Sequence, residues 1–239
     1  MRLLTTATTT DEADRAAKIA VLPVGSFEQH GPYLPLITDT VVACAISERI
    51  ATDYPVLCLP PVTISCSHEH DDFAGTVSIG STTLHAVISD IAASLKRVNG
   101  IDALVIVNGH GGNYVLRNYA QEASAAGRPT AVFPGGRDWI TGRKDAGIIS
   151  SDHDDMHAGE LETSLLLHVA PELVLSGNEG ADHVAERPHL LTLGMRAYTK
   201  SGVIGMPSLG TAEKGDLLLA SLSRSFREVY DLLAVTDAA

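Results

Sequence analysis

Ala-Leu-Val-Ile-Val-Asn-Gly-His-Gly-Gly-Asn, residues 103–113, is the part of the sequence that indicates the fold most clearly. Five apolar residues run without interruption and then stop at an Asn-Gly pair. A continuous apolar run of this kind is typical of a strand that is covered on both faces, as strands of parallel sheets are. We therefore predict a buried parallel strand over 103–107, with a polar loop at its carboxyl end.

Similar apolar runs alternate with helical patterns along the rest of the chain. The patterns predict strands at Ile19–Val24, 56–59, 103–107 and 129–133, and helices at Thr38–Asp53, 82–98, 159–170 and 212–233. This alternation favours an α/β fold, a three-layer αβα sandwich with a mostly parallel sheet. Two long stretches, 65–80 and 135–156, are predicted to be irregular and therefore functional.

Composition and charge restrict the class of protein. Of the 239 residues 45% are hydrophobic and 19% are charged, as in ordinary globular proteins. We predict a single domain over residues 1–239, because no linker is visible. The formal charge is −12 and no cluster of Lys and Arg forms a phosphate-binding face, so we expect no nucleic-acid partner. No run of about 18 apolar residues predicts a membrane span.

The cysteines and the N-terminus bear on the compartment. Cys44, Cys58 and Cys66 are an odd number without CxxC spacing, which favours a reducing compartment over a disulfide framework or a thiolate zinc site. The N-terminus lacks the apolar stretch of a signal peptide. We therefore predict a cytoplasmic protein with no membrane partner.

A first group of polar residues follows the predicted strand Ile19–Val24. Glu28 and His30 are two residues apart, so their side chains point the same way in an extended segment, and Asp39 follows where the next helix begins. Ligands bind beyond the carboxyl ends of parallel strands, and carboxylates with imidazole suit zinc, manganese or iron. The alternative is a solvated turn with Asp39 as a helix N-cap.

Two further groups lie after later elements. In the loop 108–113 the glycines permit a tight turn that aims His110 into the crevice; a phosphate loop or a buried structural histidine is the alternative. At the helix predicted near residue 159, His157 and Glu160 share a face through their i, i+3 spacing, whereas Glu162 points elsewhere. The alternative there is an acidic first turn that offsets the helix dipole.

At these residues the chain resembles the creatininase (creatinine amidohydrolase) family. The resemblance is carried, in order, by 28–32 (Glu-Gln-His-Gly-Pro), Leu34-Pro35, Thr38-Asp39, Asn108-Gly109-His110, His157-Ala158-Gly159 and Glu162-Thr163-Ser164, and it runs from about residue 19 to 167. It implies a creatininase-like fold and a metal-dependent amidohydrolase that cleaves an amide C–N bond with a metal-activated hydroxide. It also implies two divalent ions per subunit (zinc, manganese or iron).

The resemblance further implies a set of metal ligands. Glu28, Asp39 and His110 would hold one ion and His30 with Asp39 the other, Asp39 bridging the two. In the creatinine-hydrolysing branch a Glu two residues after the His of the Asn-Gly-His motif completes the second site, but this chain has Gly112 there. That branch has an apolar residue where this chain has Glu160, so we predict that Glu160 replaces the missing carboxylate.

The same resemblance implies roles in catalysis and substrate binding. His157 would protonate the departing nitrogen, and Glu162 would orient a ligand or His157, with a purely structural role as its alternative. The creatinine-hydrolysing branch holds its substrate with a Trp shortly before the His-Ala-Gly motif, whereas the Trp of this chain is Trp139. Creatinine is therefore not the expected substrate. We predict Trp139 and His70 as substrate contacts.

Several functions stay open at this point. The main prediction is a small-molecule amide substrate, which is a small amide, a formamide or a lactam. The alternatives are a metallopeptidase that acts on a short precursor peptide and a non-catalytic metal-binding protein. A serine hydrolase is less favoured, because the chain has no GxSxG elbow. Relatives form homo-oligomers, often hexamers, and the resemblance extends this expectation to the present chain.

Overall fold

A parallel β-sheet forms the centre of the molecule. The structure, a computed structural model, describes residues 5–234, and within that range the strands are β1 (Ile19–Val24), β2 (Leu57–Cys58), β3 (Ala103–Asn108) and β4 (Thr130–Phe133). They lie in the order β2-β1-β3-β4, and all neighbours are parallel. The predicted parallel sheet is confirmed, although β2 is shorter than the predicted strand over 56–59.

The helices of the described residues surround this sheet. They are α1 (Thr9–Arg15), α2 (Thr38–Asp53), α3 (Ser81–Asn99), α4 (Val115–Ala125), α5 (Gly136–Asp145), α6 (Glu160–Val169), α7 (Leu190–Leu193) and α8 (Ala212–Ala234). The helix α5 corrects the prediction that 135–156 is irregular throughout. It is capped by Asp138, whose Oδ2 accepts the Gly135 N–H at 2.8 Å, and Gly142 lets it pack closely against Leu218 of α8.

Two apolar layers lie on opposite faces of the sheet. Val105 of β3 packs with buried residues of α2, α6 and α8, whereas its neighbour Ile106 packs with α3 and α4. Successive side chains of a strand point to opposite faces, so both faces of β3 are covered, as its apolar run predicted. The three-layer αβα arrangement is therefore confirmed.

The C-terminal helix α8 is amphipathic, as predicted. Leu218, Leu222 and Phe226 recur every four residues and are fully buried, whereas Leu217 and Leu232 are exposed. The recurrence places the three buried residues on one face of the helix. Among residues 5–234 no helix is both long enough and apolar enough to cross a membrane.

The strand order determines where a site can form. The chain leaves β1 toward β2 on one side, and β3 lies on the other side of β1. Ligands of open parallel sheets bind at such a reversal, beyond the carboxyl ends of the strands. Val24 and Asn108 are register partners at the ends of β1 and β3, so the loops that carry Glu28 and His110 begin at the same level.

A close backbone approach brings a third segment to this edge. A Cβ atom at Gly109 would lie 2.2 Å from the main-chain oxygen of Asp39, which is far inside van der Waals contact. Only glycine therefore allows the end of β3 to lie against the first turn of α2. The approach places Asp39 beside His110.

Candidate metal centre

The loop after β1 buries two of the predicted ligands. Glu28 and His30 are both 0% exposed. The Glu28 N–H donates to Leu36 O at 3.1 Å, which folds the loop back toward α2. His30 Nδ1 lies 3.1 Å from the main-chain oxygen of Glu28. An oxygen can only accept, so Nδ1 carries the proton and Nε2 of the neutral ring is left with a free lone pair.

Asp39 lies between two histidines at the start of α2. Its Oδ1 is 3.1 Å from His30 Nε2, and its Oδ2 is 3.2 Å from His110 Nδ1. The positive end of the helix dipole stabilises a carboxylate in this first turn. Each oxygen of Asp39 therefore faces a different ring nitrogen.

His110 is held in the same manner as His30. The Asn108 side chain donates to the main-chain oxygen of His110 at 2.7 Å and accepts its N–H at 3.3 Å, which fixes the turn after β3. His110 Nε2 lies 3.0 Å from the main-chain oxygen of Cys66, so this nitrogen carries the proton. The lone pair of Nδ1 then faces Glu28 Oε1, also at 3.2 Å.

In their neutral forms, His30 and His110 therefore point a nitrogen lone pair toward the carboxylate oxygens, with no hydrogen-bond donor between them. Both carboxylate oxygens of Glu28, and Oδ2 of Asp39, are buried and accept no hydrogen bond. The ligand atoms of Glu28, Asp39 and His110 lie within 4.8 Å of one another, as do those of His30, Asp39 and Glu162. Buried carboxylates need positive charge beside them, which either protons on the two rings or a metal ion can supply. The residues present thus fit divalent metal, and ligation itself stays a prediction.

The pKa shifts of these groups are caused by burial and by the carboxylates and histidines acting on one another. Burial and the nearby Asp39 raise the pKa of Glu28 above its ordinary value. Burial opposes the ionisation of Asp39, but His30 and His110 lower the pKa of Asp39 well below its ordinary value. For His30, burial is outweighed by Asp39, which raises the pKa of the ring to about 9. Without a metal, this field favours protonated rings of His30 and His110; a divalent ion would displace those protons, because a histidine binds a metal only through an unprotonated nitrogen.

Glu162 is the carboxylate that completes the second group. Its Oε2 accepts the Ala158 N–H at 2.6 Å and lies 3.9 Å from His30 Nε2. Burial raises the pKa of Glu162 to about 7, although His30 opposes the rise. The sequence argument that Glu162 points away from the site is wrong, because α6 begins at Glu160 and the residues before it are not helical.

Glu160, predicted as a metal ligand, is used elsewhere. Its fully buried carboxylate accepts hydrogen bonds from Lys214 Nζ at 2.5 Å and from Ser150 Oγ at 2.6 Å. The main-chain N–H groups of Ser150 and Ile149 donate to it as well. Because these donors satisfy both oxygens, Glu160 has no orphaned atom to offer an ion. We correct the expected swap: Glu162, not Glu160, joins the cluster.

A second carboxylate fills the space beside Gly112, where the resemblance leads us to expect a Glu. A Cβ atom at Gly112 would lie 2.1 Å from Glu69 Oε1, and the same oxygen is 3.6 Å from His110 Nε2. The segment 65–80, predicted to line the pocket, therefore places Glu69 on the outer side of the His110 ring. Gly112 is required for this close approach.

His157 and His70 lie on the other side of Glu28. His157 Nδ1 is 3.8 Å and His70 Nε2 is 3.2 Å from Glu28 Oε1. Burial, together with the neighbouring His30 and His70, lowers the pKa of His157 well below its ordinary value. Burial and the rings of His110 and His30 lower the pKa of His70 to about 3. Both rings are therefore neutral at neutral pH.

An open crevice of about 740 Å³ leads to this cluster. His110 and Glu162 line its inner end, and Trp139 of α5 lines its wall with Arg117 and Arg143. Trp139, the predicted substrate contact, therefore lies on the wall of the crevice. His70 and His157 are 2% and 5% exposed, and neither lines the crevice. Their predicted roles toward substrate therefore stay predictions, and in this structure both rings lie against Glu28.

Sequence reasoning missed the partners of the buried histidines. It left Gln29 without a role, although this residue is adjacent to two predicted ligands, and it placed His70 on the pocket wall. The sequence could have indicated a role for Gln29, because it lies between Glu28 and His30, two residues whose side chains were predicted to point into the site. The contact of His70 with Glu28 depends on how segment 65–80 folds over β1, which no local pattern indicates.

Comparisons with known proteins give matches along most of the chain. The sequence profile of the family described as creatinine amidohydrolase matches residues 4–230. The mycofactocin precursor peptide peptidase of Mycobacterium ulcerans (strain Agy99) is 37% identical over 218 residues, which cover 84% of this chain and 80% of that protein. The creatinine amidohydrolase of Pseudomonas putida is 26% identical over 227 residues, which cover 84% of each.

A solved structure has the same fold. The structure named Creatininase Mn superposes with a TM-score of 0.77 at 24% identity. The superposition covers 94% of this chain and 97% of the other.

Proposed function

Because the chain belongs to the creatinine amidohydrolase (creatininase) family, whose members hydrolyse C–N bonds, we propose that it is a divalent metal-dependent hydrolase of amide bonds. One observation carries the proposal. Three carboxylates and two imidazoles from four separate segments meet with their possible ligand atoms turned toward one another, and several of the carboxylate oxygens accept no hydrogen bond. This donor set suits zinc or manganese, and the relative of the same fold is a manganese form.

Each side chain has a stated role in this proposal. Glu28, Asp39 and His110 would hold one ion, and His30, Asp39 and Glu162 the other, with Asp39 shared. Bound divalent ions lower the pKa of water from about 15.7 toward 7 and polarise a carbonyl oxygen. The three carboxylates hold that positive charge in the buried site.

His157 is proposed to move the proton. Its neutral ring turns Nδ1 toward Glu28 Oε1, at 3.8 Å, and Nε2 toward the main-chain oxygen of Gln29. The one proton of the neutral ring is held at Nε2 by the main-chain oxygen of Gln29, so Nδ1 must accept a proton before it can donate one. His157 would therefore take a proton from the attacking water at Nδ1 and pass it to the departing nitrogen.

A short peptide is the substrate class that we propose. The precursor peptide peptidase shares 37% identity with this chain, against 26% for the creatinine amidohydrolase. A crevice of about 740 Å³ is also within the range of about 300–1,000 Å³ that ligand pockets occupy. A small amide or lactam is the second candidate, favoured by the match to the creatinine amidohydrolase profile.

Metal depletion followed by a substrate panel tests both levels of the proposal. The protein would be stripped with a chelator, reloaded with zinc or manganese, and offered short peptides, formamides and creatinine. We expect peptide cleavage that returns only with added metal. Activity that survives complete depletion would contradict metal dependence, whereas bound metal without hydrolysis of any amide would favour a binding protein.

Two histidine variants separate metal binding from proton transfer. His110→Ala is expected to lower both metal content and turnover, because it removes a nitrogen that faces two carboxylates. His157→Ala is expected to keep its metal and to lower kcat by about 10²–10⁴-fold, the usual contribution of a general acid–base group. Elemental analysis and steady-state kinetics measure the two effects. His85→Ala, on the surface of α3, is the control, and full metal occupancy in the His110 variant would refute the ligand assignment.

A further inference from the structure

The side chain of Gln29 has no role in the chemistry above, yet it is 5% exposed and surrounded by polar atoms. Its Oε1 accepts the Gly31 N–H at 3.0 Å, and its Nε2 donates to the main-chain oxygen of Gly202 at 3.2 Å. These two contacts determine which end of the amide is oxygen and which is nitrogen. The same Nε2 lies 2.9 Å from His70 Nδ1 and 3.1 Å from His157 Nε2.

The main chain of Gln29 determines where His157 carries its proton. His157 Nε2 is 2.7 Å from the main-chain oxygen of Gln29. This oxygen can only accept a hydrogen bond, so Nε2 of the ring must be the donor. In the neutral ring Nδ1 is then unprotonated, and it is the nitrogen that faces Glu28.

The amide of Gln29 in turn determines the proton of His70. An amide nitrogen has two hydrogens, and one of them is used by Gly202. His157 Nε2 is itself a donor, so it cannot accept the second hydrogen. That hydrogen therefore goes to His70 Nδ1. Because Nδ1 of His70 accepts, its Nε2 must carry the proton, and this N–H faces Glu28 Oε1 at 3.2 Å.

We propose that Gln29 is a positioning residue that fixes the tautomers of His70 and His157 on the two sides of Glu28. His70 then turns an N–H toward Glu28, and His157 turns an unprotonated nitrogen toward it. The benefit to turnover rests on the proposed function, but the tautomers themselves do not. Two rings beside the same carboxylate thus face it differently, one with a hydrogen-bond donor and the other with an acceptor.

Gly202 allows this arrangement. Its φ is +94°, and a Cβ atom there would lie 1.6 Å from Gln29 Oε1. Any side chain at this position would therefore displace the amide of Gln29. The Gly202→Ala variant removes the amide from its place without changing its chemistry.

Nitrogen NMR of the ring atoms tests the inference without any assay of turnover. Long-range ¹H–¹⁵N spectra of the ¹⁵N-histidine protein distinguish protonated from unprotonated nitrogens, and His70→Gln and His157→Gln identify the signals. In the unsubstituted, zinc-loaded protein we expect a protonated Nε2 and an unprotonated Nδ1 on both rings. A protonated Nδ1 on His70 in this spectrum of the unsubstituted protein would overturn the proposal.

The Gln29→Glu variant makes the prediction sharper. A carboxylate can only accept at neutral pH, so His70 Nδ1 should become protonated. Gln121→Glu, an exposed position of α4, is the matched control and should leave the ring signals unchanged. Retention of an unprotonated Nδ1 on His70 in a folded Gln29→Glu protein would contradict the proposed role.

Kinetics provide a second readout where a peptide substrate is found. Gln29→Glu and Gly202→Ala should lower kcat by about 10–100-fold, the size of effect known for residues that orient the side chains of a metal site from behind, with little change in KM. Gly147→Ala is the control for backbone strain, because Gly147 also has a positive φ but no atom lies near its Cβ position. Loss confined to KM would contradict the role. If no amide is hydrolysed, the proposed function fails while the tautomer result still stands.

Discussion

At the scale of single residues, Glu160 shows how a buried carboxylate is satisfied without a metal. The Lys214 side chain, 17% exposed, donates to it at 2.5 Å, and Ser150 donates through its hydroxyl and its main-chain N–H. Burial alone would raise the pKa of Glu160, but Lys214 and Ser150 lower it. The carboxylate is thus ionised and structural, and it joins α6 to α8.

Removal of Lys214 tests this assignment. Lys214→Met leaves a buried charge without its cation, which typically costs about 3–5 kcal/mol of unfolding free energy. Urea denaturation of the metal-free protein measures the loss, and the double variant with Glu160→Gln should recover part of it. Metal content should not change in either protein. A fall in bound metal like that of the His110 variant would restore Glu160 as a ligand.

The thiols give a prediction about pH. Burial raises the pKa of Cys44 to about 12 and that of Cys58 to about 11, against about 8.5 for a free thiol. Alkylation at pH 8 should therefore be slower by roughly two orders of magnitude or more in the folded protein than in urea. Mass spectrometry of iodoacetamide-treated protein measures this, with Cys58→Ser to attribute the sites. Rapid labelling of the folded chain would contradict it.

The same pKa shifts affect stability. Each thiol has a folded pKa above its unfolded pKa, so its contribution is complete below about pH 8.5. That contribution is lost as the pH rises through about 11 for Cys58 and about 12 for Cys44.

Most site residues could be predicted individually, but not their partners. Glu28, His30, Asp39 and His110 were recognised from residue type and from their position after predicted strands, and the structure brings them together. The choice between Glu160 and Glu162 could not be made, because it depends on where α6 begins. A helix from His157 would place Glu160 beside it; instead Ala158 has a φ of +53°, and the register changes.

At the scale of elements, the contact between β3 and α2 supports the site. Gly109→Ala would place a Cβ atom 2.2 Å from the Asp39 main-chain oxygen, so the two elements must separate. We expect a loss of about 1–3 kcal/mol, the usual cost of overpacking, together with weaker metal binding. Gly111→Ala is the matched control, since no atom lies within 4 Å of its Cβ position. Equal metal affinity in both variants would contradict the expectation.

Strong periodicity and apolar runs made most elements predictable. The strands β1 and β3 and the helices α2, α3 and α8 lie within one or two residues of their predicted bounds. The helix α5 was missed because its sequence has few apolar residues and Gly135-Gly136 at its start. The helix is stabilised by tertiary packing against α8 through Gly142. A local sequence pattern does not indicate such a long-range contact.

At the scale of the whole molecule, bound metal should stabilise the fold. The three carboxylates come from the loop after β1, from α2 and from α6, so a shared ion would link segments that are distant in the chain. A ligand at 100 times its Kd adds about 2.7 kcal/mol to the free energy of unfolding. The melting temperature should therefore rise with added zinc or manganese and fall with added chelator. Identical melting curves at every metal concentration would contradict this.

Other properties of the whole molecule stay predictions. The single domain, the cytoplasmic location and the homo-oligomer, expected to be a hexamer, do not follow from the geometry of one chain. Light scattering coupled to size exclusion would measure the number of subunits. The sequence carries little signal for assembly, because an interface depends on which surface patches match one another.

The strand order also affects when an ion can be captured. Glu28 and His110 lie on the loops after β1 and β3. These strands are neighbours in space but are separated in the chain by α2, β2 and α3, and Glu162 follows later still. A nascent polypeptide on the ribosome therefore holds only part of the cage until synthesis has passed α6. If these residues bind a metal as proposed, selection between competing cations would then fall to the finished protein and to the free concentration of each metal.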